Sequence, residues 1–430
     1  MSNIEIGAIA LGVSIVLIGF RLHIGLALGL SAIGGMMAIV GSRGTLGIVM
    51  STPYEFSASW ELSAIPMFVL MGNIAFYTGM TDSLFKAARL WLGRLPGGLA
   101  VATNFACAGF ASASGSSLAT TIAMGKIAIP EMRKYGYDPG LSGGVVAAAG
   151  TLGSLIPPSI LLVLYGIFAE VSITKLFTAA VVPGLITAFV YGAMIIIRAK
   201  LNPALAPLPE ERPTMAEKFR VLLDVWPLPL LVLAVLGSLY AGLATATEAG
   251  AVGAAMAMLI ALIQRRLSFE ALRRSLYESV MNSGALFFIA MGAVLMTRLM
   301  ALSGLPYFLS DQLELYAVSP WSLLLITSLI YLVLGCVIDP IGMILLTLPV
   351  LIPMFKTAGF DLIWFGILVV KFVEVGLLTP PLGLNVYAVR TLAPDVPLSK
   401  LFRGVSWFIL CEVIVIVFLC LVPQSTVWLR

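Results

Sequence analysis

Charge is what this chain has least of. Only 11% of its 430 residues are Asp, Glu, Lys or Arg, against roughly 25% in a soluble domain, so polar side chains cannot clothe an aqueous surface. His23 is the sole histidine, and Cys107, Cys336, Cys411 and Cys420 are scattered without a CxxC spacing. That ligand supply excludes zinc, haem and iron–sulfur sites and a disulfide framework. No GxxxxGK[ST] loop occurs, which excludes ATP hydrolysis by this chain. Asp339, Glu374, Lys371 and His23 do not converge into an acid, base or nucleophile set, so an enzyme is not expected. A net charge of +4 is too small for a nucleic-acid footprint. Apolar side chains are what the chain has in excess. They make up 60% of it, and the mean hydropathy is +1.06. The class is an all-α polytopic membrane protein whose main partner is the lipid bilayer.

Apolar runs predict spans near 4–20, 24–42, 62–80, 140–170, 176–197, 226–242, 247–263, 278–302, 361–390 and 405–423. The run at 4–20 has no basic residues before it, unlike a secretory signal. With an external N-terminus, 19 of the 25 Lys and Arg residues fall in internal loops, Lys126 among them. Arg43, Lys175, Lys356 and Arg430 fall outside, and Arg298 and Lys371 lie within spans. The positive-inside rule therefore predicts both termini external. The count holds only if two further segments, near 97–130 and 320–355, return to the side they entered from. The polar stretch 199–224 reads as an internal linker.

The chain also repeats itself. GSLIPPSILLVLYG at 153–166 resembles GLLTPPLGLNVYAV at 376–389, a shift of 223 residues (157 to 380). The same shift carries Pro130 to Pro353, Gly136 to Gly359 and Asp138 to Asp361. Each half, 1–198 and 225–430, thus holds five spans and one re-entrant hairpin. An odd number of crossings turns the second half upside down. Inverted repeats of this kind mark secondary transporters, with the site near the midplane.

The breaks within the spans carry the chemistry. Ser112, Ser114, Gly115, Ser116, Ser117, Thr120 and Thr121 crowd the middle of the first hairpin, a poor helix interior. Close helix packing through small residues is the alternative explanation. The shift places Asp339-Pro340 at the second tip, with Ile338 before it and Gly342 after. A carboxylate at membrane depth is a functional candidate, unless it pairs structurally with Lys371 or Arg298. Pro157-Pro158 and Pro380-Pro381 deprive upstream carbonyls of helical donors, around Gly153–Ser154 and Val375–Gly376. With the tip oxygens these carbonyls predict two oxygen-only Na⁺ cages: Ser114, Gly115, Ser116, Ser117, Gly153 and Ser154 in one half; Ile338, Asp339, Gly342, Val375, Gly376 and Thr379 in the other. Solute contacts are expected near the tips and breaks, at Ser116, Thr120, Pro157, Pro158, Pro380, Pro381 and Asn385. Lys371 and Glu374 stand at i and i+3 and are expected to form a structural or gating ion pair.

The ASASGSSLATT tip, the IDPIG tip, GSLIPPS, GLLTPPLGLNVY and TATEAGAVGA together resemble the large membrane subunit of the tripartite ATP-independent periplasmic (TRAP) transporters, over nearly the whole chain. The resemblance implies an elevator-type ion-transporter fold and Na⁺-coupled uptake of a small organic anion, a carboxylate or sulfonate. It implies two partners: a small four-helix membrane subunit, here expected on a separate polypeptide, and a periplasmic substrate-binding protein. It also implies a bacterial inner-membrane location with periplasmic termini. A stand-alone ion-coupled dicarboxylate symporter of the related fold is the alternative.

Overall fold

Prolines, glycines and hydroxyl caps divide the apolar runs into helices in the computed structural model, which describes residues 1–208, 213–316 and 319–426; no strand occurs among them. Arg212 and Arg430 lie outside the described residues. The first half runs α1 (Asn3–Gly19), α2 (Ile24–Ser57), α3 (Ala64–Tyr77), α4 (Met80–Leu92), α5 (Gly98–Ser114), α6 (Ser117–Lys134), α7 (Pro139–Leu155), α8 (Ile160–Phe168) and α9 (Ile173–Leu201). The linker carries α10 (Met215–Leu222). The second half runs α11 (Pro227–Tyr240), α12 (Ala246–Ile263), α13 (Phe269–Ser303), α14 (Leu305–Leu315), α15 (Pro320–Gly335), α16 (Pro340–Thr357), α17 (Leu362–Leu378), α18 (Leu384–Leu392) and α19 (Leu398–Leu421).

The repeat is visible in the helix bounds. Both ends of α6 and α16, and both ends of α7 and α17, differ by 223 residues. The equivalent helices also run in opposite directions. The start of α7 lies on the start of α19, where a Cβ on Gly144 would stand 2.8 Å from the Gly404 carbonyl carbon. The start of α17 lies on the end of α19, through Trp364 Nε1 donating to the Leu419 carbonyl at 3.0 Å. So α7 runs alongside α19 in the same sense and α17 runs against it, as an inverted repeat requires.

The helices pack in two groups. One joins α1 and α2 to α13, and α11 and α12 to α3; the other gathers α5, α6, α7, α9, α17 and α19. Seven helices among the described residues are long and apolar enough to cross a membrane, and α7 with α8 forms a further span bent by 41° at the first Pro-Pro break.

Two features depart from the expected spans, and a third agrees with them. The helix begun at Ile24 breaks at Gly41, next to the end expected near residue 42, and a second helical stretch runs on to Ser57. The φ of 72° at Gly41 is open to glycine at little cost. Short helices α4, α10 and α14 occupy stretches expected as loops. The linker is partly helical, and Trp91 of α4 holds α10 through a 3.1 Å hydrogen bond to the Lys218 carbonyl.

Candidate functional site

The hairpin tips are built from matching parts. At the first, α5 ends at Ser114 and Gly115 turns the chain at φ 60°. Ser116 is extended and caps α6, its Oγ accepting from the Ala119 N–H at 3.5 Å. At the second, Asp339 is extended and caps α16, Oδ2 accepting from the Ile341 and Gly342 N–H groups at 3.2 and 3.4 Å. Ser116 and Asp339 are the residues that the 223 shift superposes. A side-chain oxygen at this position takes up amide groups that a helix start leaves unpaired. Asp339 Oδ1 has no hydrogen-bond partner among the described residues.

Each tip rests on the break of its own half. A Cβ on Gly153 would stand 2.5 Å from the Ser116 carbonyl oxygen, so only glycine lets α7 come this close. Ser114 and Thr120 share a hydrogen bond of 2.6 Å, and Thr120 also donates to the Ser116 carbonyl at 2.8 Å. Asn385, from the other half, donates to Ser117 Oγ at 2.8 Å and to the Ala147 carbonyl at 3.0 Å. At the second tip the backbones of Gly335 and Gly376 touch: a Cβ on Gly335 would lie 2.6 Å from the Gly376 Cα. Cys336 reaches the Pro380 carbonyl at 3.3 Å, and Ile338 is buried.

Of the four carbonyls expected free at the two breaks, those of Ser154, Val375 and Gly376 have donors. The Ser154 carbonyl accepts the Ser159 hydroxyl, and the Val375 carbonyl accepts the Thr379 hydroxyl at 2.6 Å. Hydroxyl residues beside the prolines supply the donors that proline lacks. Apart from the Cys336 thiol, which is turned to the Pro380 carbonyl, the polar groups that meet at the tips and breaks are hydroxyls, a carboxylate, amides and carbonyls, and the available ligand atoms are mostly oxygens. Pro157 and Pro158 are buried, whereas Pro380 and Pro381 are exposed.

Asp339 does not pair with either intramembrane cation. Arg298 pairs with Glu55. Lys371 does meet Glu374, at 2.7 Å, but also Glu412 of α19 at 2.5 Å and Thr187 of α9 at 3.2 Å. Tyr191 donates to the other oxygen of Glu412. The three charged side chains have no exposed surface. The expected pair is thus part of a buried cluster that ties α17 to α19 and α9. Glu412 is the residue that the pair alone omits. Its signal was a carboxylate in the apolar run LFRGVSWFILCEVIVIVFLC, whereas Tyr191 and Thr187 carry no distinguishing pattern.

Both tips face one cavity of ≈590 Å³, bounded also by α3, α8 and α13. Ser114, Gly115, Ser116, Ser117 and Asp339 line it. Thr120, Gly153, Ser154, Gly376 and Asn385 are buried behind that lining. Lys126, expected in an internal loop, instead lies on α6 and faces this cavity, beside Phe76, whose ring centroid is 5.5 Å from its ammonium. Lys126 falls inside the hairpin expected at 97–130 as well as in the loop count, and its place on α6 settles it as a hairpin residue.

Comparison with known proteins follows the same lines. A family model described as the DctM component of the tripartite ATP-independent periplasmic transporters matches residues 11–425. A C4-dicarboxylate TRAP transporter large permease protein of Pseudomonas aeruginosa is 35% identical over 88% of this chain and 90% of its own length. A sialic acid TRAP transporter large permease protein of Vibrio cholerae is 30% identical over 86% of each. Among solved structures, the YdaH transporter of Alcanivorax borkumensis superposes with a TM-score of 0.58 at 16% identity, covering 89% of both chains, a likeness of fold alone.

Proposed function

Since this chain belongs to the DctM component family of the tripartite ATP-independent periplasmic transporters, whose relatives are transport permeases, we propose that it performs Na⁺-coupled uptake of a small organic anion by an elevator mechanism. The anion, a carboxylate or sulfonate, is delivered by a periplasmic binding protein. A small four-helix membrane subunit completes the permease in the bacterial inner membrane, with both termini of this chain periplasmic. One observation carries the proposal. The helix caps Ser116 and Asp339, equivalent in the repeat, open onto one cavity, and hydroxyl and carbonyl oxygens lie behind them.

Hard, oxygen-rich surroundings suit Na⁺, and broken helices are where transporters of this kind hold it. In the first half Ser114, Gly115, Ser116, Ser117, Gly153 and Ser154 supply the cage. In the second half Ile338, Asp339, Gly342, Val375, Gly376 and Thr379 do so, with the Asp339 oxygen that has no protein donor as the strongest ligand. Ion binding at the breaks draws the Ser159 and Thr379 hydroxyls off the carbonyls they now cover. The solute then meets Ser116 at the tip, with Thr120, Asn385 and the proline pairs shaping the floor.

The test is uptake into proteoliposomes holding both membrane subunits, with solute presented on the cognate binding protein. Uptake driven by an inward Na⁺ gradient and lost when K⁺ replaces Na⁺ is expected. Unchanged uptake in K⁺ overturns the ion coupling. Equal uptake of free solute without the binding protein favours the stand-alone symporter.

A further inference from the structure

We propose that Lys126 is the residue by which the cavity recognises the negative charge of the transported solute. This rests on the organic-anion reading above and names the group that would carry it. Lys126 is the one basic side chain in the cavity lining among the described residues. It stands in register with the site, because Ala119, Ile122 and Lys126, spaced i, i+3 and i+7, face the cavity along one side of α6. From the tip residue Ser117 it lies about 13 Å along the helix at 1.5 Å per residue. Side chains lean toward the N-terminus of their helix, which shortens the gap that a small anion has to bridge.

This ammonium has no counter-charge within ion-pair distance. Nearby, Arg89 of α4 pairs with Glu131 of α6, and Arg133 pairs with Asp395 at 2.9 Å; Lys134 lies over the Tyr135 ring but does not line the cavity. Among the described residues no carboxylate lies within 4.0 Å of Lys126. The two carboxylates that share the cavity each have a donor other than Lys126, although Asp339 keeps one oxygen without a partner among the described residues. Tyr77 donates to Glu278, and the start of α16 donates to Asp339. Lys126 is left with the face of Phe76, which attracts a cation without neutralising it. Lys126 is exposed on the cavity side of α6, so a ligand that enters the cavity can reach its ammonium. An anion in this cavity would be the missing partner, held by a charge-assisted hydrogen bond.

The probe is sulfonatoethyl methanethiosulfonate, itself a small organic sulfonate, compared with the cationic trimethylammonioethyl reagent. Ile122→Cys is introduced one turn from Lys126 in the reconstituted two-subunit permease, and labelling of that peptide is followed by mass spectrometry. Removing one positive charge at this range in a partly wet cavity should matter by about tenfold. Lys126→Gln is therefore expected to lower the anion-to-cation rate ratio about tenfold, while Lys126→Arg preserves it. In uptake, Lys126→Gln should raise KM for the delivered solute more than it lowers turnover. An unchanged ratio, or no labelling by either reagent, overturns the proposal. The ratio is read without transport. A fall in the ratio together with Na⁺-independent uptake removes the ion coupling and leaves Lys126 standing; an unchanged ratio with Na⁺-driven uptake does the reverse.

Discussion

Single side chains at membrane depth divide into those that cap, those that bind and those that neutralise one another, and substitutions separate them. Asp339 caps α16 with one oxygen and leaves the other without a donor. Asp339→Asn keeps a capping oxygen but loses the charge, so the protein should fold while uptake collapses; Asp339→Ala should lose uptake and also about 1 kcal/mol of helix-cap stability. Wild-type uptake by the Asn variant would reduce Asp339 to a cap. The buried cluster behaves differently. Lys371→Ala leaves two carboxylates, Glu374 and Glu412, without their cation, at a cost of about 3–5 kcal/mol, read as lost expression or a lower Tm. Lys371→Met with Glu374→Leu is not expected to rescue it, because Glu412 is then stranded. Adding Glu412→Leu should restore stability, and failure of that triple variant to outlast the double one would dissociate Glu412 from the cluster. Lys371, Glu374 and Asp339 were legible because a charge in an apolar run has few bland explanations. Glu412 carried the same signal, but its partner lies 41 residues away (371 to 412), and spacing along one helix could not connect them.

At the level of helices, the breaks were the most legible feature and the amphipathic pieces the least. Proline pairs, a Ser-Gly-Ser-Ser run and an Asp-Pro step each act on the backbone directly, so the helix ends at both tips and both Pro-Pro breaks fall where the sequence predicts them, while the 42° bend between α10 and α11 is not expected from it. Helix α4, MTDSLFKAARLWL, mixes polar and apolar residues on opposite faces, and averaged hydropathy cannot separate it from a loop. The kink at Gly41 falls at the expected end of the apolar run from Ile24, but the helical stretch beyond it to Ser57 is not expected, because its polar and small residues lower the averaged hydropathy. Close helix approach is a matter of which glycines face a neighbour. Gly335 and Gly376 bring α15 and α17 into backbone contact beneath the second tip. Gly335→Ala should force them apart, costing about 1–3 kcal/mol as an overpacked contact, and should weaken the apparent affinity for Na⁺ more than the turnover. Gly284→Ala is the control, since a Cβ there meets nothing within 4 Å. Equal Na⁺ titrations for the two variants would mean that the second tip tolerates displacement.

For the whole molecule, the cavity marks a boundary. Its walls α3 and α13 belong to the group with α2 and α12, while the hairpin tips that form its floor pack with α7 and α17. Sliding one group past the other would carry the floor across the membrane, which is what elevator transport requires of an inverted repeat. The small subunit, a fixed partner, should then crosslink to α1, α2, α11 and α12, and crosslinks confined to the hairpins would contradict that division. A direct test locks the boundary itself. A Cβ on Gly72 of α3 would lie 3.0 Å from the Ser114 Cα at the first tip, tighter than the spacing within a disulfide, so α3 and the tip must part slightly to seat the bridge. Gly72→Cys with Ser114→Cys should oxidise once that small shift is made. Ser114 is also a proposed ion ligand, so the comparison is made between the oxidised and reduced forms of the same protein. Within one group, Asn73 donates to Ser279 at 2.8 Å, and Asn73→Cys with Ser279→Cys bridges helices that have no need to part. Oxidation should abolish the residual uptake of the first pair, reversibly on reduction, and leave that of the second pair unchanged. If the oxidised first pair transports as well as its reduced form, α3 and the first hairpin travel together and the boundary lies elsewhere.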